Sequence, residues 1–267
     1  IYQSDRFGFN NKDENWESKD IKLLLTGDSI PQGKCTYSKD TISFKLDKKN
    51  YRNINICYAG NGPLLQYASI KEYFSKVKPD TLIWFFNERQ SFLELLFEKN
   101  NPILKSYYLK NFYTQFLSSN QTRIDEIANL EMMNILKKKK YQKIKMFIKL
   151  YFTRNFSFLK KENKIFDYDF KNEIFLFKKI MYKTKNFLVK QNSNLLFIFL
   201  STPVLNKKIK DDLKSFFDKI DIEYLDIDEK LKKKEIFLNP YVFDNGIYDA
   251  KINDYITEES INKLSKG

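Results

Sequence analysis

Apolar and polar positions along this chain follow two alternating rhythms. Short, mainly apolar runs occur at residues 21–26 (IKLLLT), 53–58 (NINICY), 81–86 (TLIWFF) and 194–200 (NLLFIFL), and residues 222–227 (IEYLDI) form a weaker fifth. Runs of this length, bounded by turn residues, predict strands buried on both faces of a parallel sheet. Between them the period lengthens. Residues 64–76 place Leu65, Ala68, Ile70, Tyr73 and Phe74 at helical spacing, continued by Val77 just beyond, and residues 172–191 and 206–219 read the same way. Residues 40–49 form part of a further helix, whose start is obscured by Pro31 and Gly33. Strands alternating with helices predict a βαβαβ series and an α/β fold: a three-layer α/β/α sandwich around a parallel sheet of about five strands.

Residues 91–171 interrupt this series with a mainly helical insertion rich in aromatics. Within it, NILKKKKYQKIKMFIKLYF is a basic amphipathic helix. It presents either a solvated lysine face over a core stripe or a surface for anionic membrane. Residues 153–171 look irregular, in a place to shape access to the sheet edge. Residues 1–20 are polar, with FGFNN and Trp16 as anchoring points, and predict a packed extended arm within a single domain over 1–267. A terminal helix is expected to be capped at Thr257-Glu258-Glu259-Ser260.

Composition narrows the function classes. The chain has 267 residues, 42% of them hydrophobic, with 25 Phe and 17 Tyr, enough for a real core. Its net charge of +13 fits nucleic acid, anionic lipid or an acidic substrate, or simply a bias toward lysine throughout. No base-reading motif accompanies the charge, so nucleic acid ranks last among partners. No run approaches the roughly 18 apolar residues of a membrane span. The two cysteines, Cys35 and Cys57, leave open a disulfide or two buried thiols. With no histidine beside them they make no zinc site, and no cofactor is expected.

The chemistry concentrates where the first strand ends, at Gly27-Asp28-Ser29. A serine on a sharp turn after a strand can expose its Oγ while nearby backbone N–H groups face a developing negative charge. The second strand ends in Ala59-Gly60-Asn61-Gly62-Pro63, another glycine-rich turn. In these blocks, in this order, the chain resembles the SGNH (GDSL-type) hydrolases. It is closest to a bacterial branch with a segment like SDRFGFNN ahead of the first block and GNGPLLQYA at the second. The resemblance covers most of residues 4–130 and implies an SGNH/flavodoxin-like sheet. It also implies Ser29 as nucleophile, with the Ser29 and Gly60 N–H groups holding the oxyanion and Asn61 and Gly62 completing the second turn. Asp28 would brace the first turn. Acylated glycan or lipid is the implied ligand, O-acetyl esters being the family-level expectation. A periplasmic or extracytoplasmic setting follows from the branch, in which a membrane anchor often precedes the domain.

The chain also departs from the pattern. It has no histidine, the residue that serves as base and then acid in a Ser-His-Asp mechanism. The third block, where the branch shows Glu-x-Asn-Asp, reads Glu88-Arg89-Gln90-Ser91, leaving Gln90 or Asn87 as the side-chain oxyanion donor. One C-terminal register puts Lys251 at the histidine position with Asp249 nearby, and another puts Tyr255 there. Three functions stay open: a degenerate protein that binds without hydrolysis, an active esterase or acyltransferase with Lys251 as base, and a basic binder of anionic lipid or nucleic acid.

Overall fold

The structure, a computed structural model, describes residues 4–34, 36–136, 170–200, 207–233 and 250–265. Five strands, β1 (Leu23–Thr26), β2 (Asn53–Asn55), β3 (Thr81–Phe86), β4 (Asn194–Phe199) and β5 (Glu223–Asp226), form one parallel sheet in the order β2-β1-β3-β4-β5. Leu25 lies opposite Asn55 on one side and Ile83 on the other. The chain steps outward from β1 to β2 and then crosses back to β3. The crevice at the carboxyl ends of β1 and β3 is therefore the switch point where such sheets bind ligands.

Nine helices accompany the strands among the described residues of this unit: α1 (Ser29–Gln32), α2 (Ile42–Lys48), α3 (Pro63–Val77), α4 (Glu88–Glu98), α5 (Pro102–Leu109), α6 (Lys171–Lys190), α7 (Lys207–Lys219), α8 (Ile227–Lys233) and α9 (Ala250–Leu264). Strand side chains alternate between two cores, as the two-residue period requires. Leu23, Leu25, Ile83, Phe85 and Ile198 pack with Ile42 and Leu46 of α2 and with Ile252 and Ile256 of α9. On the other face Phe86 stacks on Phe177 of α6, with ring centroids 4.7 Å apart, and meets Phe92 of α4 edge-on at 5.4 Å. Helices thus cover both faces, and the fold is an α/β/α sandwich.

Asp5, itself buried, organises the N-terminal arm. It accepts the Phe7 and Phe9 N–H groups, each at 2.9 Å, and the Asn11 amide and Trp16 indole N–H, each at 2.7 Å. Phe7, Phe9 and Trp16 gather on Tyr73 of α3. Asn11 then pairs with the edge of β2 as another strand would, its Oδ1 accepting the Asn55 N–H and its Nδ2 donating to the Asn55 carbonyl. This covers the sheet edge that would otherwise be open.

Two expectations about element bounds change. The terminal helix begins at Ala250, seven residues before the expected cap at Thr257. Thr257 and Ser260 are buried mid-helix, and their hydroxyls donate to the carbonyls of Asn253 and Ile256 four residues back. That bond lets a hydroxyl sit inside a helix, so the cap-like sequence is not a cap. Strand β2 stops at Asn55, where Asn55 Oδ1 takes the Cys57 N–H and bends the chain.

Residues 116–136 belong to a separate unit, in which 121–136 are helical with Leu130, Met133 and Leu136 exposed. The basic amphipathic stretch beyond residue 136 and the irregular one up to residue 169 lie outside the described residues, as does Cys35. Cys57 is a buried free thiol.

Candidate active site

Ser29 opens α1 immediately beyond β1. The turn leading to it requires glycine: a Cβ on Gly27 would lie 2.7 Å from Pro31 Cγ and 3.0 Å from the Phe85 carbonyl oxygen. Proline is admissible inside this short helix because the first turn lacks internal acceptors for its N–H groups. Gly33, left-handed at φ 81°, ends the helix.

Polar side chains from elsewhere fix the helix. Asn10 of the arm donates to the Gln32 carbonyl and Asn55 of β2 donates to the Pro31 carbonyl, each at 2.7 Å. Gln32 in turn accepts the Ala59 N–H at 3.0 Å, and the Tyr58 N–H reaches the Gly27 carbonyl at 3.2 Å. The serine turn and the second glycine-rich turn are therefore tied together through both backbone and side chain.

The second turn is held from its other side as well. Buried Glu98 of α4 accepts the Gly62 N–H at 2.8 Å and the Leu64 N–H at 2.9 Å, capping the start of α3. Its carboxyl pKa rises to about 7, because burial and the neighbouring Glu94 outweigh the backbone donors. Gly62 allows the approach, since a Cβ there would lie 2.6 Å from both Glu94 Cβ and Glu98 Oε2. Buried Asn61 accepts the Gln66 amide through its carbonyl at 2.6 Å. Gly60 adopts φ 84°, a left-handed conformation that suits glycine.

Ser29, Gly60, Asn61 and Asn87 thus come to the carboxyl edge of the sheet, on the turns that follow β1, β2 and β3. Ser29 is partly exposed, and its Oγ makes no hydrogen bond among the described residues. Asp28 is the other side chain of consequence. It is buried, and its Oδ1 accepts the Gly60 N–H at 2.8 Å. Burial raises its pKa, offset only in part by the backbone N–H groups of Gly60 and Ser29 and by the charge of Lys34.

The third-block candidates differ. The Gln90 amide donates to Glu94 one turn along its own helix, whereas Asn87 precedes α4 at the end of β3 and makes no side-chain bond to the helix it caps. At the C-terminus, Lys251 lies exposed in the first turn of α9, and Asp249 lies outside the described residues. Tyr255 is buried within α9. No group of three or more potential metal ligands occurs among the described residues.

Gln32, Asn55, Glu98 and Lys34 are contributors that sequence motifs do not single out. The one signal for them is the pair of asparagines in Asn53-Ile54-Asn55, both fully buried in a strand that otherwise reads as apolar.

No protein-family model and no curated protein matches the sequence. Solved structures do resemble the fold. TesA superimposes with a TM-score of 0.50 at 9% identity, over 91% of this chain and 97% of TesA. The psychrotrophic esterase EstA from Pseudoalteromonas sp., in a form inhibited by monoethylphosphonate, gives a TM-score of 0.48 at 9% identity, over 92% of this chain and 98% of EstA. With its 2-1-3-4-5 parallel sheet and the serine turn at the switch point, the chain has the fold of the SGNH (GDSL-type) hydrolases.

Proposed function

We propose that this chain is an SGNH-fold protein that binds an acylated glycan or lipid at the Ser29 edge without hydrolysing it. The observation that carries this reading is the absence of histidine from all 267 residues. Serine hydrolysis needs a group that accepts a proton near neutral pH and then returns it to the leaving group. Lysine does so when burial or a neighbouring cation lowers its pKa. Lys251 lies exposed in the first turn of α9. What persists is the recognition half of such a site: Ser29 on its turn, the N–H groups of Ser29 and Gly60, and Asn87 rather than Gln90 as the side-chain donor. Following the resemblance, the role belongs to envelope polysaccharide or lipid metabolism on an extracytoplasmic face.

The test compares p-nitrophenyl acetate turnover by the wild type and Ser29→Ala, each confirmed folded. Equal, background-level rates support the reading. A wild-type rate at least about ten-fold above Ser29→Ala overturns it and returns the chain to the esterases, with Lys251→Ala then identifying the base.

A second reading is carried by a different surface. Phe97, Leu109 and Phe112 are 74%, 68% and 97% exposed on and after α4 and α5, close in sequence to Lys99, Lys105 and Lys110. Apolar side chains among lysines suit an anionic lipid surface. Sedimentation with anionic vesicles at rising salt separates this attachment from ligand binding at Ser29.

A further inference from the structure

Helix α6 buries one stripe, Phe177, Ile180, Met181 and Leu188, against the body. A helix packed in this way is expected to be polar on its opposite side. Instead Phe175, Tyr182 and Val189 stand there, 61%, 53% and 56% exposed. They are spaced seven residues apart, close to two full turns, and so form one line about 21 Å long.

The charge along that line is one-sided. Helix α6 carries six lysines against a single acid, Glu173, which is buried and bonded to Lys99. Lys178 and Lys185 flank the line on the side of α7, where Asp212 and Asp221 pair with them. Lys179, Lys183 and Lys190 flank it on the other side and pair with no carboxylate among the described residues. Lys183 Nζ lies 5.3 Å from the Tyr108 ring centroid and 3.5 Å from Asn111 Oδ1, so this side continues into the surface of α5. Residues 99–115, which build that surface, contain no Asp or Glu. On the opposite face of the sheet, α2 and α9 together carry four lysines and four acids, and no large apolar side chain of theirs is exposed.

This combination selects the occupant. Protein interfaces are depleted in lysine, because ordering and desolvating that side chain is costly. A bilayer makes no such demand: rings and hydrocarbon stems enter the headgroup layer while the ammonium groups stay in water beside lipid phosphates.

We infer that the outer face of α6 is a docking surface for an anionic bilayer. Phe175, Tyr182 and Val189 enter the headgroup layer, and Lys179, Lys183 and Lys190 meet the phosphates. The inference rests on the second reading above, in which lysines and apolar side chains at α4 and α5 meet anionic lipid, and it adds the helix that carries the contact.

The test is sedimentation with vesicles of phosphatidylcholine, with and without about one-third phosphatidylglycerol, at physiological ionic strength. Wild type is compared with an α6 charge pair (Lys179→Gln/Lys190→Gln) and an α6 apolar triple (Phe175→Ser/Tyr182→Ser/Val189→Ser). Two controls accompany them: Lys48→Gln/Lys49→Gln, which removes the same charge at α2, and Phe97→Ser/Leu109→Ser/Phe112→Ser. Thermal melts first show all five proteins folded. Wild type is expected to pellet with the anionic vesicles and not with phosphatidylcholine alone. The α6 charge pair should bind on the order of twenty-fold more weakly, at about five-fold for each lysine near an anionic surface. The apolar triple should lose at least about ten-fold, and the α2 pair should stay within about two-fold of wild type. Equal weakening by the α2 and α6 charge pairs overturns the inference, because net charge alone then accounts for binding. So does dimerisation without vesicles that the α6 apolar triple abolishes, which assigns the line to a second copy of the chain. Weakening by the α4–α5 triple with both α6 variants at wild-type affinity overturns the inference and leaves the lipid reading standing. A wild type that ignores anionic vesicles overturns both.

Discussion

Replacing Glu98 with glutamine should remove a pH dependence of stability that the fold places on one buried carboxyl. Glu98 is 8% exposed and caps the start of α3. Its pKa of about 7 in the fold stands against an ordinary 4.5. Because the folded value is the higher one, the protonated form favours folding. That contribution is fully present below about pH 4.5 and is lost as pH rises through about 7. The difference between the two values converts to about 3 kcal/mol. The side chain is nearly enclosed, so solvent screening reduces this little. Glutamine keeps one carbonyl acceptor and cannot accept at its amide nitrogen, which costs about 1–2 kcal/mol where wild type is protonated. Urea denaturation at pH 5, 6, 7 and 8 should therefore show Glu98→Gln less stable than wild type at pH 5, with the gap closing or reversing by pH 8. Asp47, whose pKa burial raises to about 6, titrates in both proteins and cancels in the comparison. A gap that stays constant across the series would refute the reasoning.

Three further outcomes test the scaffold. Asp5→Ala leaves the donors of Phe7, Phe9, Asn11 and Trp16 without their acceptor, and urea denaturation should show a loss of about 3 kcal/mol together with a red shift of tryptophan emission. Gly62→Ala drives a methyl to 2.6 Å from Glu94 Cβ and Glu98 Oε2, and should cost about 1–3 kcal/mol in the same assay. Phe86→Ala opens the aromatic cluster shared with Phe92, Phe177, Phe197 and Phe199, and should cost about 3–5 kcal/mol.

The sheet was legible because buried parallel strands must be apolar on both faces: LLLT, TLIWFF and NLLFIF read as strands and are strands. The serine turn was legible because glycine, aspartate and serine after such a run leave the chain few ways to turn. What the sequence did not show depends on groups distant along the chain. Glu98 reads as one polar position on an amphipathic helix, and only the packing of α4 brings its carboxyl to the Gly62 and Leu64 N–H groups. The partner of Asp28 lies 32 residues away, so its bond to Gly60 appears only once the sheet sets β1 beside β2. Thr257 and Glu258 imitate a helix start because cap residues and buried hydroxyls bonded four residues back share the same side chains; Ile252, Tyr255 and Ile256, buried at helical spacing, were the countervailing signal.

The central proposal is that Ser29, in a chain without histidine, is not activated as a nucleophile. Its most direct test is the intact mass of the folded wild type after incubation with a fluorophosphonate probe, beside Ser29→Ala. No adduct on either protein is the predicted result. A single adduct on wild type that is absent from Ser29→Ala would contradict the account and show Ser29 to be an activated nucleophile.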